Sequence, residues 1–204
     1  MRPNDKKIKE VYNKIAEGFY NLRQQPITHE LEKLTEKWKP GLLLDIGCGI
    51  GNSTLPFAKK GFQCIGTDIA QKQIKSAKKY FEKHKTEAHF LVSEMQNLPF
   101  ISGKFDYVIS AAALHHLDSE EKRLICLDEM KRVLKKNGQI FLTVWKRAAE
   151  DQYVSWTSKG KKYPRYYHFF QEAELKFFFE KVGFRKIKIF KDQKEKNICV
   201  LAFK

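Results

Sequence analysis

The chain has 204 residues, 42% of them apolar, and 39 Lys/Arg against 24 Asp/Glu give it a net charge of +15. That length suits one domain with a sizeable core, and no run approaches the ~20 apolar residues of a membrane-spanning helix. Cys48, Cys64, Cys126 and Cys199 form no C-x-x-C pair, which fits reduced thiols inside a cell better than a disulfide framework or a zinc site.

Residues 5–19 predict an amphipathic helix, with Ile8, Val11, Tyr12, Ile15 and Phe19 at helical spacing and Asp5 placed to cap it. The same segment has no apolar leader and carries acids at Asp5, Glu10 and Glu17, so the expected location is cytoplasmic, with the nucleus as the alternative. A second helix is expected over 28–38, ending before Pro40. Short apolar runs follow at 42–47, 62–68, 88–93, 105–110 and 139–145, with helical patterns between them at 53–60, 71–84 and 119–136. Such alternation predicts a parallel sheet with helices on both faces. A last helix at 171–182 leads into runs at 184–190 and 197–203 separated by "KDQKEK". The expectation is therefore a Rossmann-like α/β fold, a seven-stranded mostly parallel sheet ending in an antiparallel hairpin. The layout is one domain: N-terminal helices over a pocket (1–39), a cofactor core (40–146), a substrate insert (147–170) and a terminal helix with hairpin (171–204). The insert shows no clear regular pattern, and at that length a functional segment is the better reading.

"LLLDIGCGIGNSTLPFA" (42–58) reads as strand, glycine turn, helix. Gly47 and Gly49 allow a tight turn and close approach to a ligand. The spacing is G-x-G-x-G with Asn52 next, not the G-x-G-x-x-G of a dinucleotide site. Asp45, just ahead, would repel pyrophosphate but suits a ligand ammonium group. Asp68 ends the second run, where an acid can accept both ribose hydroxyls. Glu94 follows the third, within reach of an adenine edge.

Together these features resemble the class I S-adenosylmethionine-dependent methyltransferases. The resemblance implies S-adenosyl-L-methionine as cofactor, with Asp45, Gly47, Cys48 and Gly49 at its methionine end, Asp68 and Ile69 at the ribose, Glu94 and Met95 at the adenine, and Ala111 after strand four. Which atom is methylated is read by elimination. The N/D-P-P-Y segment used on amide and adenine nitrogens is absent; "SAAALHHL" (110–117) stands there. Neither Cys126 nor Cys199 is placed as a carbon-methylation nucleophile. An oxygen or carboxylate acceptor remains, and a carboxylate, with a reference pKa near ~4, is already anionic and needs positioning rather than a base. His115 and His116, as neighbours in sequence, are expected to point apart, and no acid cluster joins them, so no metal site is expected; one of them, His116 before His115, could orient an acceptor.

Residues 163–170 hold three tyrosines, two phenylalanines, one arginine and one histidine, and 155–191 holds ten Lys/Arg against three Asp/Glu, a net +7. Basic residues interleaved with aromatics suit a polyanion with stackable bases. "VYNKIAEGFYNLR" (11–23), "ALHHL" (113–117), "VSW" (154–156) and "RYYHFFQEAEL" (165–175) further resemble the methyltransferases that esterify carboxymethyluridine at the wobble position of tRNA, including the methyltransferase module of a larger AlkB-type protein. That likeness implies Arg165, Arg23 and His116 in catalysis, Tyr166, Tyr167 and His168 against the extruded base, and Lys161 and Lys162 on phosphates of the anticodon loop. Eukaryotic members work with a small zinc-binding activator protein, which would pair with the strand-three edge (87–100). The alternatives are a methyltransferase of small quinones or phenols and a non-catalytic RNA-binding relative.

Overall fold

The computed structural model describes residues 3–204, with side chains from Lys6 onward. Helix α1 spans Pro3–Leu22, so Asp5 lies within it; the side chain of Asp5, read as a cap, falls outside the described residues. Helix α2 (His29–Lys37) starts where the Thr28 hydroxyl accepts from the Glu30 amide, satisfying one of the free donors of the first turn.

Seven strands form the main sheet: β1 (Leu42–Ile46), β2 (Gln63–Asp68), β3 (His89–Val92), β4 (Phe105–Ala111), β5 (Leu134–Trp145), β8 (Arg185–Lys191) and β9 (Asn197–Phe203). Their order is β3-β2-β1-β4-β5-β9-β8. The first five are parallel; β9 runs antiparallel to β5 and β8 antiparallel to β9. Helices α3 (Leu55–Lys59), α4 (Gln71–Lys83), α5 (Glu120–Val133) and α6 (Glu172–Val182) connect them. Helix α5 stops three residues short of the expected 136, because Leu134 already pairs with Phe105.

Adjacent strand residues feed opposite layers, as the two-residue period of a strand requires. Leu44, Val108 and Leu142 pack with Leu127 and Phe179 of α5 and α6. Their neighbours Leu43, Ile109 and Phe141 pack with Leu31, Trp38 and Phe57 around α2 and α3. Both faces are thus covered, which is why these strands read as continuous apolar runs. Among the described residues, no helix is long and apolar enough to cross a membrane.

The segment without a clear pattern is a separate two-stranded ribbon, β6 (Gln152–Ser158) against β7 (Lys161–Tyr167). Its two-residue turn has positive φ at Lys159 (49°) and Gly160 (73°), the geometry that matches strand twist in tight hairpins. Pro164 is tolerated within β7 because each strand of a ribbon is also an edge. The ribbon lies against α1 at Gly18, where an added Cβ would come within 3.4 Å of the Ser158 hydroxyl.

Candidate active site

The order β3-β2-β1-β4-β5 reverses direction between β1 and β4, and ligands of open α/β sheets bind at such a switch, beyond the carboxyl ends of the strands. A cavity of about 1120 Å3, its open mouth included, lies there. Its floor is the turn after β1. Gly47 sits at φ 74°, and a Cβ there would stand 2.4 Å from that of Ala113, so no side chain fits. The Gly47 and Cys48 amides both donate to the Thr67 carbonyl at 2.8 Å, tying the turn to β2.

Two carboxylates flank the turn. Asp45 is buried; one oxygen accepts from the Thr54 hydroxyl at 2.6 Å and the other, Oδ1, has no partner. Burial pushes its pKa up to about 7, against the Thr54 hydrogen bond and with help from nearby Asp68. Asp68 accepts the Ala70 amide at 2.8 Å and the Gly49 amide at 3.1 Å, one on each oxygen. Burial raises it to about 6, opposed by those two bonds. An orphaned buried acid, a second acid with spare lone pairs and a turn that excludes a Cβ fit the ammonium, ribose and methionine end of S-adenosylmethionine. Ile69, Glu94, Met95 and Ala111 continue the lining.

Helix α1 and the ribbon close the cavity from above. The Arg165 guanidinium is buried, 5.2 Å from the Tyr167 ring, 5.3 Å from Trp156 and 5.9 Å from Tyr12. It donates to the Tyr12 hydroxyl at 3.3 Å, and its Nε has no partner. No carboxylate pairs with it among the described residues. The Tyr12 hydroxyl lies 2.7 Å from His116 Nε2, and His116 Nδ1 lies 2.8 Å from the Tyr166 carbonyl. Since a carbonyl only accepts, Nδ1 carries the proton and Nε2 accepts from Tyr12. Burial, partly opposed by the bond to Tyr166, holds His116 down at about 3, so the ring is neutral. Arg165, Tyr12 and His116 thus form one directed chain of hydrogen bonds facing the cofactor turn. Arg23, half-buried, stands 5.8 Å from the Phe19 ring at the same cavity.

The other substrate candidates are distributed differently. Tyr167 lines the cavity, stacked between Trp145 and His115 at 4.7 and 4.8 Å. Tyr166 and His168 do not line it: Tyr166 donates to Asp151, and His168 bridges Asp151 and Glu174, each at 2.8 Å. Lys161 and Lys162 are exposed on β7. Tyr12 and Trp145 were absent from the sequence-derived site. Tyr12 falls in the apolar stripe of α1, where its spacing matches a core residue, and only the ribbon's placement reveals its role.

Residues 44–142 match the family model described as a methyltransferase domain. The chain is an S-adenosylmethionine-dependent methyltransferase. It is 27% identical to the tRNA (carboxymethyluridine(34)-5-O)-methyltransferase of Schizosaccharomyces pombe, over 86% of this chain and 87% of that one. It is 31% identical to the tRNA (carboxymethyluridine(34)-5-O)-methyltransferase ALKBH8 of Mus musculus over 76% of this chain, yet spans only 22% of that protein. Among solved structures, the PH0226 protein from Pyrococcus horikoshii OT3 shares the fold, with a TM-score of 0.73 at 21% identity, over 91% of this chain and 98% of that one.

The two buried acids beside the glycine turn predict how S-adenosylmethionine binding depends on pH. Both have folded pKa values above their unfolded ones, so the stability they contribute is full below pH ~4 and lost as pH rises through 6 to 7. An ammonium group beside Asp45 favours its ionised form and recovers that loss. S-adenosylmethionine affinity is therefore expected to rise roughly fivefold from pH 6.0 to 7.5, with a larger thermal shift at the higher pH. Calorimetry at the two pH values checks this; a flat affinity would place the ammonium away from Asp45.

Proposed function

We propose that this methyltransferase acts on tRNA and esterifies the carboxylate of 5-carboxymethyluridine at the wobble position, giving 5-methoxycarbonylmethyluridine. The observation that carries the reading is Arg165: a buried guanidinium, without a carboxylate partner among the described residues, in the same cavity as the cofactor turn. A buried cation is costly unless paired, and an arginine grips a carboxylate with two parallel bonds. The names of the relatives in fission yeast and mouse support the same substrate.

S-adenosylmethionine supplies an electrophilic methyl group, and transfer makes an O–CH3 bond as the S–CH3 bond breaks. The protein's own work is placement. Asp45, Asp68 and the Gly47 turn fix the donor from below. Arg165, itself held by Tyr12, orients one face of the acceptor carboxylate from above, with Arg23 at the same cavity. No residue has to remove a proton from a carboxylate, which agrees with a His116 whose Nδ1 proton and Nε2 lone pair are both engaged. Tyr167, stacked between Trp145 and His115, walls this pocket without a free ring face, and Arg23 stands over Trp156 beside it. The free edge at β3, with Val92 44% exposed, is where a zinc-binding activator subunit would add a strand.

The product tests the reading. A methyl ester is cleaved by mild alkali, so tRNA labelled with methyl-tritiated S-adenosylmethionine is expected to release nearly all its label as methanol. Label that survives alkali would assign the methyl group to nitrogen, carbon or ribose instead.

A further inference from the structure

The positive charge of this chain is not spread evenly over its helices. Helix α4 carries five lysines and one acid, Glu82, a net +4. Helix α5 is neutral, and α2 and α6 each have a net −1. Lysines on those other helices make ion pairs, Lys33 with Glu30 and Lys181 with Glu120. Among the described residues, Lys72, Lys75, Lys78, Lys79 and Lys83 make none, and all five are exposed. A composition effect would not single out one helix in this way.

Four of the five form a line. Positions 72, 75, 79 and 83 recur at i, i+3, i+7 and i+11, a stripe ~16 Å long on one helix face. The opposite face is buried through Ile74, Ala77, Tyr80 and Phe81. The stripe starts four residues after Asp68, at the edge of the cavity, and runs away from it. It is joined to the ribbon through α1. The Lys72 amide donates to the side-chain oxygen of Asn13 on α1 at 2.9 Å, and Lys79 lies 5.6 Å from the Tyr20 ring. One turn further along α1 from Asn13, Lys159 at the ribbon tip pairs with Glu17 at 2.8 Å. Glu17 is the acid between the two basic elements, and Lys159 and then Lys72 hold its carboxyl below the usual range.

The +7 segment at 155–191, by contrast, is divided in space. Its first part forms the ribbon over the cavity, while Lys186, Lys188 and Lys191 lie on β8, at the sheet edge opposite β3. We propose that the α4 lysine stripe, continuous across α1 with the ribbon, is a docking track for the RNA sugar-phosphate backbone that leads away from the reacting nucleotide. This rests on the reading of the substrate as tRNA, and adds a surface remote from the acceptor pocket.

The test replaces Lys72, Lys75, Lys79 and Lys83 together by glutamine, which keeps helix propensity. A control replaces Lys186, Lys188, Lys191 and Lys194 likewise, for an equal change in net charge. The expected result for the α4 variant is tRNA binding at least tenfold weaker near 0.1 M salt, a log–log salt slope lower by about three units, and unchanged S-adenosylmethionine affinity and kcat at saturating tRNA. The β8 control is expected to change tRNA affinity less than threefold. Equal losses in the two variants would reduce the effect to net charge and overturn the proposal. So would a loss of binding to phosphatidylserine vesicles with tRNA binding unchanged, which would make the stripe a lipid-facing surface. Wild-type protein that binds no tRNA would overturn the substrate reading along with it, whereas wild-type methylation of tRNA beside an unaffected α4 variant would overturn the track alone.

Discussion

Replacing Arg165 with lysine is expected to lower kcat for methyl transfer to tRNA about 100-fold, the scale of a misplacement of about 1 Å at a reacting centre. S-adenosylmethionine affinity should stay within twofold of wild type and tRNA affinity within threefold. Lysine keeps the charge but loses the planar pair of donors, and its ammonium is more strongly hydrated and worse suited to a site walled by the Tyr12, Trp156 and Tyr167 rings. The substitution also removes the donor to the Tyr12 hydroxyl. Single-turnover kinetics with excess enzyme, beside filter binding and a thermal melt, separates positioning from docking and from folding. Parallel losses in turnover and tRNA affinity would make Arg165 a phosphate contact and move the acceptor pocket elsewhere.

What could be read from sequence follows from where each segment sits. Strands β1, β4 and β5 are covered on both faces, so they stand out as apolar runs, and their ends came within a residue or two, apart from the start of β5. Topology then fixes the acids: residues that close β1 and β2 meet at the switch point whatever the side chains around them. Asp45 and Asp68 were legible for that reason. The ribbon β6–β7 was not, because it belongs to neither sheet face. Its strands are half-exposed and polar, and Pro164 argues against a strand unless the strand is an edge. Its only local signal was the Lys159-Gly160 turn. The charge cluster at 155–191 was contiguous in sequence, but a chain that crosses from ribbon to α6 to β8 scatters it over two ends of the molecule. The α4 lysines were as visible in the sequence, yet only their shared helix face and the seam with α1 make them a surface.

Asp68→Ala is expected to weaken S-adenosylmethionine binding about 100-fold with the fold intact. Hydrogen bonds to a charged acceptor contribute about 1.5–3 kcal/mol each. Two ribose hydroxyls lost together, discounted for water that replaces them, come to about 3 kcal/mol, or two powers of ten. The carboxylate has a second role, since it also holds the Gly49 and Ala70 amides. Alanine leaves those donors to solvent and loosens the glycine turn on which the methionine end would rest. Asp68→Asn separates the two effects: its oxygen can still take one amide and one hydroxyl, but its amide nitrogen faces a donor. An intermediate loss, about tenfold, is expected there. Removing a carboxylate whose burial raises its pKa to about 6 also relieves a desolvation cost, so the alanine protein without cofactor should melt no lower at pH 7.5 than at pH 6.0 relative to wild type. Binding unchanged in Asp68→Ala would take the ribose off β2, and with it the assignment of Asp45 to the ammonium group.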